Sequence, residues 1–377
     1  MLTVSATAAD WTATWATAPE KAGKKEMPQN SRLGGGALRQ VVHASLGGKE
    51  LRFRLSNEYS SEPIEIKSAY IADTQGGAEI DSSSAKYLKF DGKDGVTIAP
   101  GKTVYSDPVK FDLQPLQLLS ITLNYGTVPE TGATTHRGSR TTSYIMEGHQ
   151  SKPGEKFNAT DKVEHWYTIS SLDVLTDGAE CFGIVGDSIT DGRGSTTDCQ
   201  DRWTDVMAES LGGNVGVLNL GIGGNCVIQG GLGIPASERF DNDILTQAGL
   251  TAVIVGGGVN DIGGSKNSEK TARQLIRAYK EMIRKCRERG LKVYGATITP
   301  IGGTDYWSLF HEAARQTVND WIRTSGEFDG VIDFDKTVAD TEAAPSLRRD
   351  YQYDSLHPNA DGYRAMGQAA AQSVKTK

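Results

Sequence analysis

The chain has 377 residues, 37% of them hydrophobic and 23% charged, which argues against a disordered or membrane-embedded polypeptide and for more than one core. Forty Lys and Arg against 47 Asp and Glu leave a net charge of −7. Nucleic acid is therefore not expected as a partner, because neutralising a phosphate backbone takes a basic surface.

No apolar run approaches the roughly 18 residues of a membrane span. The first nine residues, MLTVSATAA, are small and apolar, as the tail of an export signal would be; a disordered start accounts for them equally well. From about 38 to 176 the pattern has period two. Leu51, Phe53 and Leu55 alternate with Arg52 and Arg54, and Ile121, Leu123 and Tyr125 alternate with Thr122 and Asn124. This predicts strands with one packed and one wet face. Gly47-Gly48 reads as a hairpin turn between two such runs, and Pro100-Gly101 punctuates another pair. Residues 10–176 are thus expected to form an antiparallel β-sandwich or jelly roll.

The period changes near Asp177-Gly178. Five apolar runs, Phe182–Val185, Val215–Leu220, Leu250–Val255, Val293–Ile298 and Val331–Phe334, alternate with helical stretches and predict buried parallel strands. The clearest helix spans Glu269–Arg289, with Ala272, Leu275, Ile276, Tyr279, Met282, Ile283 and Cys286 on one stripe, Ser268 as its cap and Gly290 after its end. Others are expected over Leu309–Thr324 and Asp361–Ser373. Residues 177–377 are read as a doubly wound α/β domain, whose ligands belong at the carboxyl ends of its strands.

Three strand ends and one late loop carry candidate chemistry. The first strand runs into Gly186-Asp187-Ser188, the second into Gly221-Ile222-Gly223-Gly224-Asn225 and the third into Gly257-Gly258-Val259-Asn260. A Gly-Asp-Ser tripeptide is equally a common turn or helix cap, and residues 186–190, GDSIT, lack the G-x-S-x-G elbow. Glycine-rich ends are also ordinary tight turns. Together they put backbone N–H groups and an amide beside a serine, as an oxyanion hole requires. No nucleotide fingerprint fits. In Asp354-Ser355-Leu356-His357-Pro358, an acid three residues before a histidine can curl back to the ring Nδ1–H and leave Nε2 free to take a serine proton.

In this order the blocks Gly186-Asp187-Ser188, Gly224, Gly258-Val259-Asn260 and Asp354-x-x-His357 resemble those of the SGNH, or GDSL, hydrolases. The resemblance implies a flavodoxin-like three-layer α/β/α fold and ester hydrolysis through an acyl-serine. It makes Ser188 the nucleophile, His357 the general base and Asp354 its orienting acid. The Ser188 and Gly224 N–H groups and the Asn260 amide become the oxyanion donors. The opening Trp11-Thr12-Ala13-Thr14-Trp15-Ala16 and the segments Asp187–Gly194 and Arg202-Trp203 are similar to a secreted subgroup with an N-terminal β-sandwich, which implies a secreted or periplasmic location.

Cys181, Cys199, Cys226 and Cys286 are too few for a disulfide scaffold, and none has zinc spacing, so neither metal nor cofactor is expected. Cys199 and Cys226 follow the first two blocks, and a disulfide between them stands against two free thiols. Cys181 and Cys286 read as core residues. The polar loop Thr135–Arg140 could cover the pocket, with His136 and Arg140 on substrate, or lie in solvent. Tyr306 and Trp307 could stack on sugar rings or simply pack. Asp187 and Asp191 are expected to shape loops, and His311 to lie on a helix surface. The expected substrate is a small-molecule or polysaccharide ester, short-chain and above all acetyl. A lipase or lysophospholipase, or a glycan-binding protein with incidental hydrolysis, are the alternatives.

Overall fold

In the computed structural model, residues 10–341 and 345–375 are described; the possible signal remnant at 1–9 lies outside them. The period-two half forms antiparallel sheets. One has the strand order Asp10–Ala16, Ile169–Thr176, Gly48–Ser56, Val109–Leu113, with Thr103–Tyr105 also on Gly48–Ser56. The other centres on Ala37–His43, Leu118–Tyr125 and Ile64–Gly76. Leu51, Phe53 and Leu55 of the first sheet meet Leu38, Ile71, Ile121 and Leu123 of the second in one core. A small third sheet joins Trp166–Tyr167, Thr134–His136 and Glu20–Lys21.

One expectation fails here. Gly47-Gly48 does not turn a hairpin, since Ala37–His43 and Gly48–Ser56 belong to different sheets. Gly47 is needed for close approach: a Cβ there would lie 2.7 Å from the Leu113 carbonyl oxygen and the Pro115 ring. Pro100-Gly101 likewise links strands of different sheets, because Val96–Ile98 pairs with Ile64–Gly76 and Thr103–Tyr105 with Gly48–Ser56. Turn residues mark where a chain reverses, and pairing partners are chosen by packing.

The faces expected to be wet are largely covered. Thr122 and Asn124 are buried with Arg39, whose Nε donates to Thr122 Oγ1 at 2.9 Å and Nη2 to Tyr70 Oη at 2.6 Å. On the first sheet the polar face abuts the α/β half. Arg54 is buried and donates to Ser170 Oγ and Thr246 Oγ1, Ser45 Oγ accepts the Val217 N–H at 2.9 Å, and the Ala13 N–H reaches the Ala248 carbonyl. Of the alternating polar residues, Arg54 bonds across this interface, while Arg52 pairs with Asp173 of its own sheet at 3.0 Å.

The last antiparallel strand ends at Thr176 and the first parallel strand begins at Cys181. In chain order the parallel strands are Cys181–Gly186, Gly216–Gly221, Ala252–Val255, Lys292–Ala296 and Gly330–Ile332, arranged 2-1-3-4-5, the order of flavodoxin-like sheets. The helices are α1 (Ser188–Asp191), α2 (Trp203–Ser210), α3 (Ala236–Asp243), α4 (Val259–Gly263), α5 (Ser268–Arg287), α6 (Leu309–Thr324), α7 (Phe334–Val338) and α8 (Ala360–Lys375). In α5 the predicted stripe is buried, Ile276 less fully. Its cap is Asn267, one residue before the expected Ser268, with the side-chain oxygen accepting from the Lys270 N–H. Among the described residues no helix is long and apolar enough to cross a membrane.

Candidate active site

Ser188 is the first residue of α1, immediately beyond the strand Cys181–Gly186. Asp187 caps the helix, accepting the Ile189 N–H at 3.0 Å, and the Ser188 N–H, the first of the helix, has no intrahelical partner. Gly186 permits the sharp entry, since a Cβ there would sit 2.1 Å from Thr190 Oγ1. Buried Asp187 has its carboxyl raised to about 6, mainly by loss of solvation, with the Ile189 N–H opposing.

His357 arrives on a loop folded back on itself. The Tyr353 N–H donates to the His357 carbonyl, and Ser355 between them takes φ 65°, an uncommon conformation for a non-glycine residue. Asp354 can then accept twice from its neighbour, from the His357 N–H at 2.9 Å and from Nδ1 at 2.8 and 2.9 Å. On the other side of the ring, Nε2 lies 2.8 Å from Ser188 Oγ. Burial raises the Asp354 carboxyl, but these hydrogen bonds hold it below 3.8. Burial lowers His357 below 6.5; Asp354 opposes that, and the charges of Arg193 and Arg140 add to it.

Beside Ser188 lie the other two blocks. Gly224 has φ 70°, and a Cβ there would meet Leu232 at 2.9 Å. Asn225 pins the following loop, its Nδ2 donating to the carbonyls of Leu232 and Ile234 at 2.8 Å. Asp261 accepts the Val227 and Ile228 N–H groups at 2.8 and 2.9 Å, tying this loop to α4. Asn260, the second residue of α4, donates from Nδ2 to the Asn225 carbonyl at 2.9 Å, leaving its second Nδ2–H available. Among the described residues the Ser188 and Gly224 N–H groups have no protein acceptor. A hydroxyl on an oriented imidazole, with unused donors close by, is an arrangement able to form and break an acyl-serine.

The sequence profile of the GDSL-like Lipase/Acylhydrolase family matches residues 184–365. Residues 184–365 belong to that family, the SGNH hydrolases, and the protein is an ester hydrolase. No curated protein matches it. Among solved structures it is similar to a member of the lipolytic protein G-D-S-L family from Veillonella parvula, at 24% identity over 52% of this chain and 97% of that one, with TM-score 0.39. It is also similar to a GDSL-like lipase from Bacteroides thetaiotaomicron, at 17% identity over 53% and 89%, with TM-score 0.40.

The loop 135–140 packs on α1, with Gly138 against the Asp191 carboxylate. His136 is 3% exposed, with Nδ1 on the Ala18 carbonyl and Nε2 on Asp191 Oδ1, both at 2.9 Å. Both ring nitrogens are engaged, so the ring offers substrate nothing. It braces α1 against the antiparallel half. Arg140 also turns to Asp191, Nη2 to Oδ2 at 3.2 Å, with its side chain 24% exposed. Asp191 is thus a buried acceptor for two side chains from the front half. Tyr306 is half-buried and its hydroxyl donates to Asn260 Oδ1 at 3.0 Å, while Trp307 is exposed. His311 is clasped between two carbonyls, with Nδ1 2.7 Å from that of Tyr306 and Nε2 3.1 Å from that of Ser265. All four cysteines are free: Cys199 is exposed and Cys226 buried, so the two-thiol alternative holds over the disulfide.

Sequence reasoning missed Arg239. Buried on α3, it donates to the carbonyls of Gly186 and Leu220 at 3.2 and 2.9 Å and pairs with Asp243 at 3.1 Å. It stiffens the two strand ends that carry the first two blocks. No local motif marks it.

Proposed function

We propose that the enzyme hydrolyses short-chain carboxylic esters, acetyl esters above all, on carbohydrate substrates, through an acyl-serine on Ser188. The observation that carries the reaction is the relay of 2.8 Å from Ser188 Oγ to His357 Nε2 and 2.8 Å from His357 Nδ1 to Asp354. His357 takes the serine proton as Oγ attacks the ester carbonyl. The oxyanion accepts from the Ser188 and Gly224 N–H groups and the Asn260 amide. His357 then protonates the departing alcohol, and water cleaves the acyl-enzyme by the same route. Asp354 orients the ring and stabilises the imidazolium. The exposed rings of Trp307, next to Tyr306, and Tyr353, at the start of the base loop, suit stacking on a sugar. We further propose a jelly-roll-like sandwich in 10–176 as a buttress, 177–377 as the catalytic domain, and export from the cytoplasm.

A second reading, hydrolysis of longer acyl chains, draws on Leu232, Ile234, Leu309 and Phe310, all exposed on segments at the carboxyl edge of the sheet. The test is acid release from p-nitrophenyl esters of increasing chain length and from acetylated polysaccharides. Acetate release should dominate and fall by about 10⁴–10⁶ in Ser188→Ala. Rates rising with chain length would replace the acetylesterase by a lipase. An unimpaired Ser188→Ala would end the serine mechanism.

A further inference from the structure

We propose that Tyr306 is a positioning residue of the oxyanion hole, acting through Asn260. The inference rests on the serine-esterase reading above. The Asn260 amide has two ends, and only one orientation satisfies its surroundings. Its Nδ2 lies 2.9 Å from the Asn225 carbonyl, which can only accept, so nitrogen must face that way. Its Oδ1 is then an acceptor, and the group facing it is the Tyr306 hydroxyl at 3.0 Å. Tyr306 donates, Asn260 donates onward to Asn225, and one Nδ2–H remains to be aimed at developing negative charge. Donation into Oδ1 withdraws electrons from the amide and strengthens that N–H, by about 10–30% per hydrogen bond in a chain of this kind.

The tyrosine is itself held. Its ring lies over Gly263, where a Cβ would fall 2.3–2.6 Å from Cγ, Cδ1 and Cδ2. Its N–H donates to Thr304 Oγ1 at 3.1 Å. Its carbonyl faces His311 Nδ1, while His311 Nε2 faces the Ser265 carbonyl just beyond α4. With one N–H the imidazole donates to one of these carbonyls and packs against the other, so His311 sits between the segment carrying Tyr306 and the segment carrying Asn260, while the contact with Gly263 seats the ring. A ring seated this way serves the amide rather than a sugar.

The experiment is a double-mutant cycle on kcat and KM with a p-nitrophenyl ester. Tyr306→Phe should lower kcat about 5- to 30-fold, a fraction of the 10²–10³ of a whole oxyanion donor, and change KM less than about 2-fold. In an Asn260→Ala background the same substitution should change kcat less than about 2-fold, because the amide it serves is gone. Equal losses in both backgrounds, a loss confined to KM, or no loss in the wild-type background would each overturn the proposal. Gly263→Ala, which displaces the ring while keeping the hydroxyl, should repeat the pattern. A full kcat loss by Gly263→Ala in the Asn260→Ala background would count against it. Ser188→Ala separates the two failures. If it keeps the wild-type rate the esterase mechanism is wrong, whereas if it is inactive and Asn260→Ala keeps the wild-type rate, the mechanism stands and the role of Tyr306 falls.

Discussion

His136→Phe tests the brace between the two halves. The substitution keeps a ring of similar size against Trp166, stacked at 5.8 Å in the wild type, and deletes both hydrogen bonds. The side chains of His136 and Asp191 are 4% and 2% exposed, so solvent screens the pair little. Removing one partner of such a buried pair costs about 3–5 kcal/mol, because Asp191 loses one of the two side chains that hydrogen-bond it, Arg140 being the other. Burial lowers the His136 pKa, but the charge and hydrogen bond of Asp191, with the charge of Glu20, raise it above 6.5 overall. Folding therefore takes up a proton at this site. The stabilisation is complete below pH 6.5 and fades as pH rises through the folded-state value. Urea unfolding followed by tryptophan fluorescence, at about pH 6 and about pH 9, should show a deficit that narrows at the higher pH. A deficit under about 1 kcal/mol at the lower pH, or one that widens with pH, would refute the assignment of a charged His136 between Asp191 and Ala18.

Activity needs a neutral His357, whose pKa lies below 6.5. kcat/KM should therefore climb through a midpoint below pH 6.5, and Arg193→Gln should move that midpoint up; a wild-type midpoint above 6.5 contradicts this. Gly367 on α8 meets α2 so closely that a Cβ would lie 2.5 Å from Val206 Cβ and 2.6 Å from the Trp203 carbonyl oxygen. Gly367→Ala should cost about 1–3 kcal/mol by overpacking, against the gain of up to about 1 that alanine brings to an exposed helix, read from the urea midpoint. With all four cysteines free and Cys199 alone exposed, the mass should be the same with and without reductant. The native protein should take up one alkyl group quickly, and the unfolded protein four.

What was legible in the sequence was local. Helix α6 runs from Leu309 to Thr324 as its periodicity predicts, and the five apolar runs are the five parallel strands, because a strand covered on both faces must be apolar throughout. Short α3 escaped notice because Arg239 and Asp243 are among its buried residues, and a helix that turns charge inward shows no apolar stripe. The juxtaposition of Ser188 with His357, 169 residues apart, was reached only through motif resemblance, since no spacing rule reports it. His136 was left between pocket and solvent because a polar loop looks the same whether it meets water or a carboxylate 55 residues away. Arg54 looked solvated for the same reason, although it is buried and reaches Thr246 of the other half.

The first strand, Asp10–Ala16, has a consequence for how the chain is made. Its sheet partner is Ile169–Thr176, and Thr12 bonds Thr176 across 164 residues. At about 5–20 residues per second, a ribosome would need on the order of 10–30 s to supply that partner. Throughout that interval the segment DWTATWA, with two tryptophans, has an unpaired strand edge. The growing chain thus carries an adhesive ribbon for most of its first half. Slower translation or a missing chaperone should lower yield through aggregation without changing the activity of the molecules that fold.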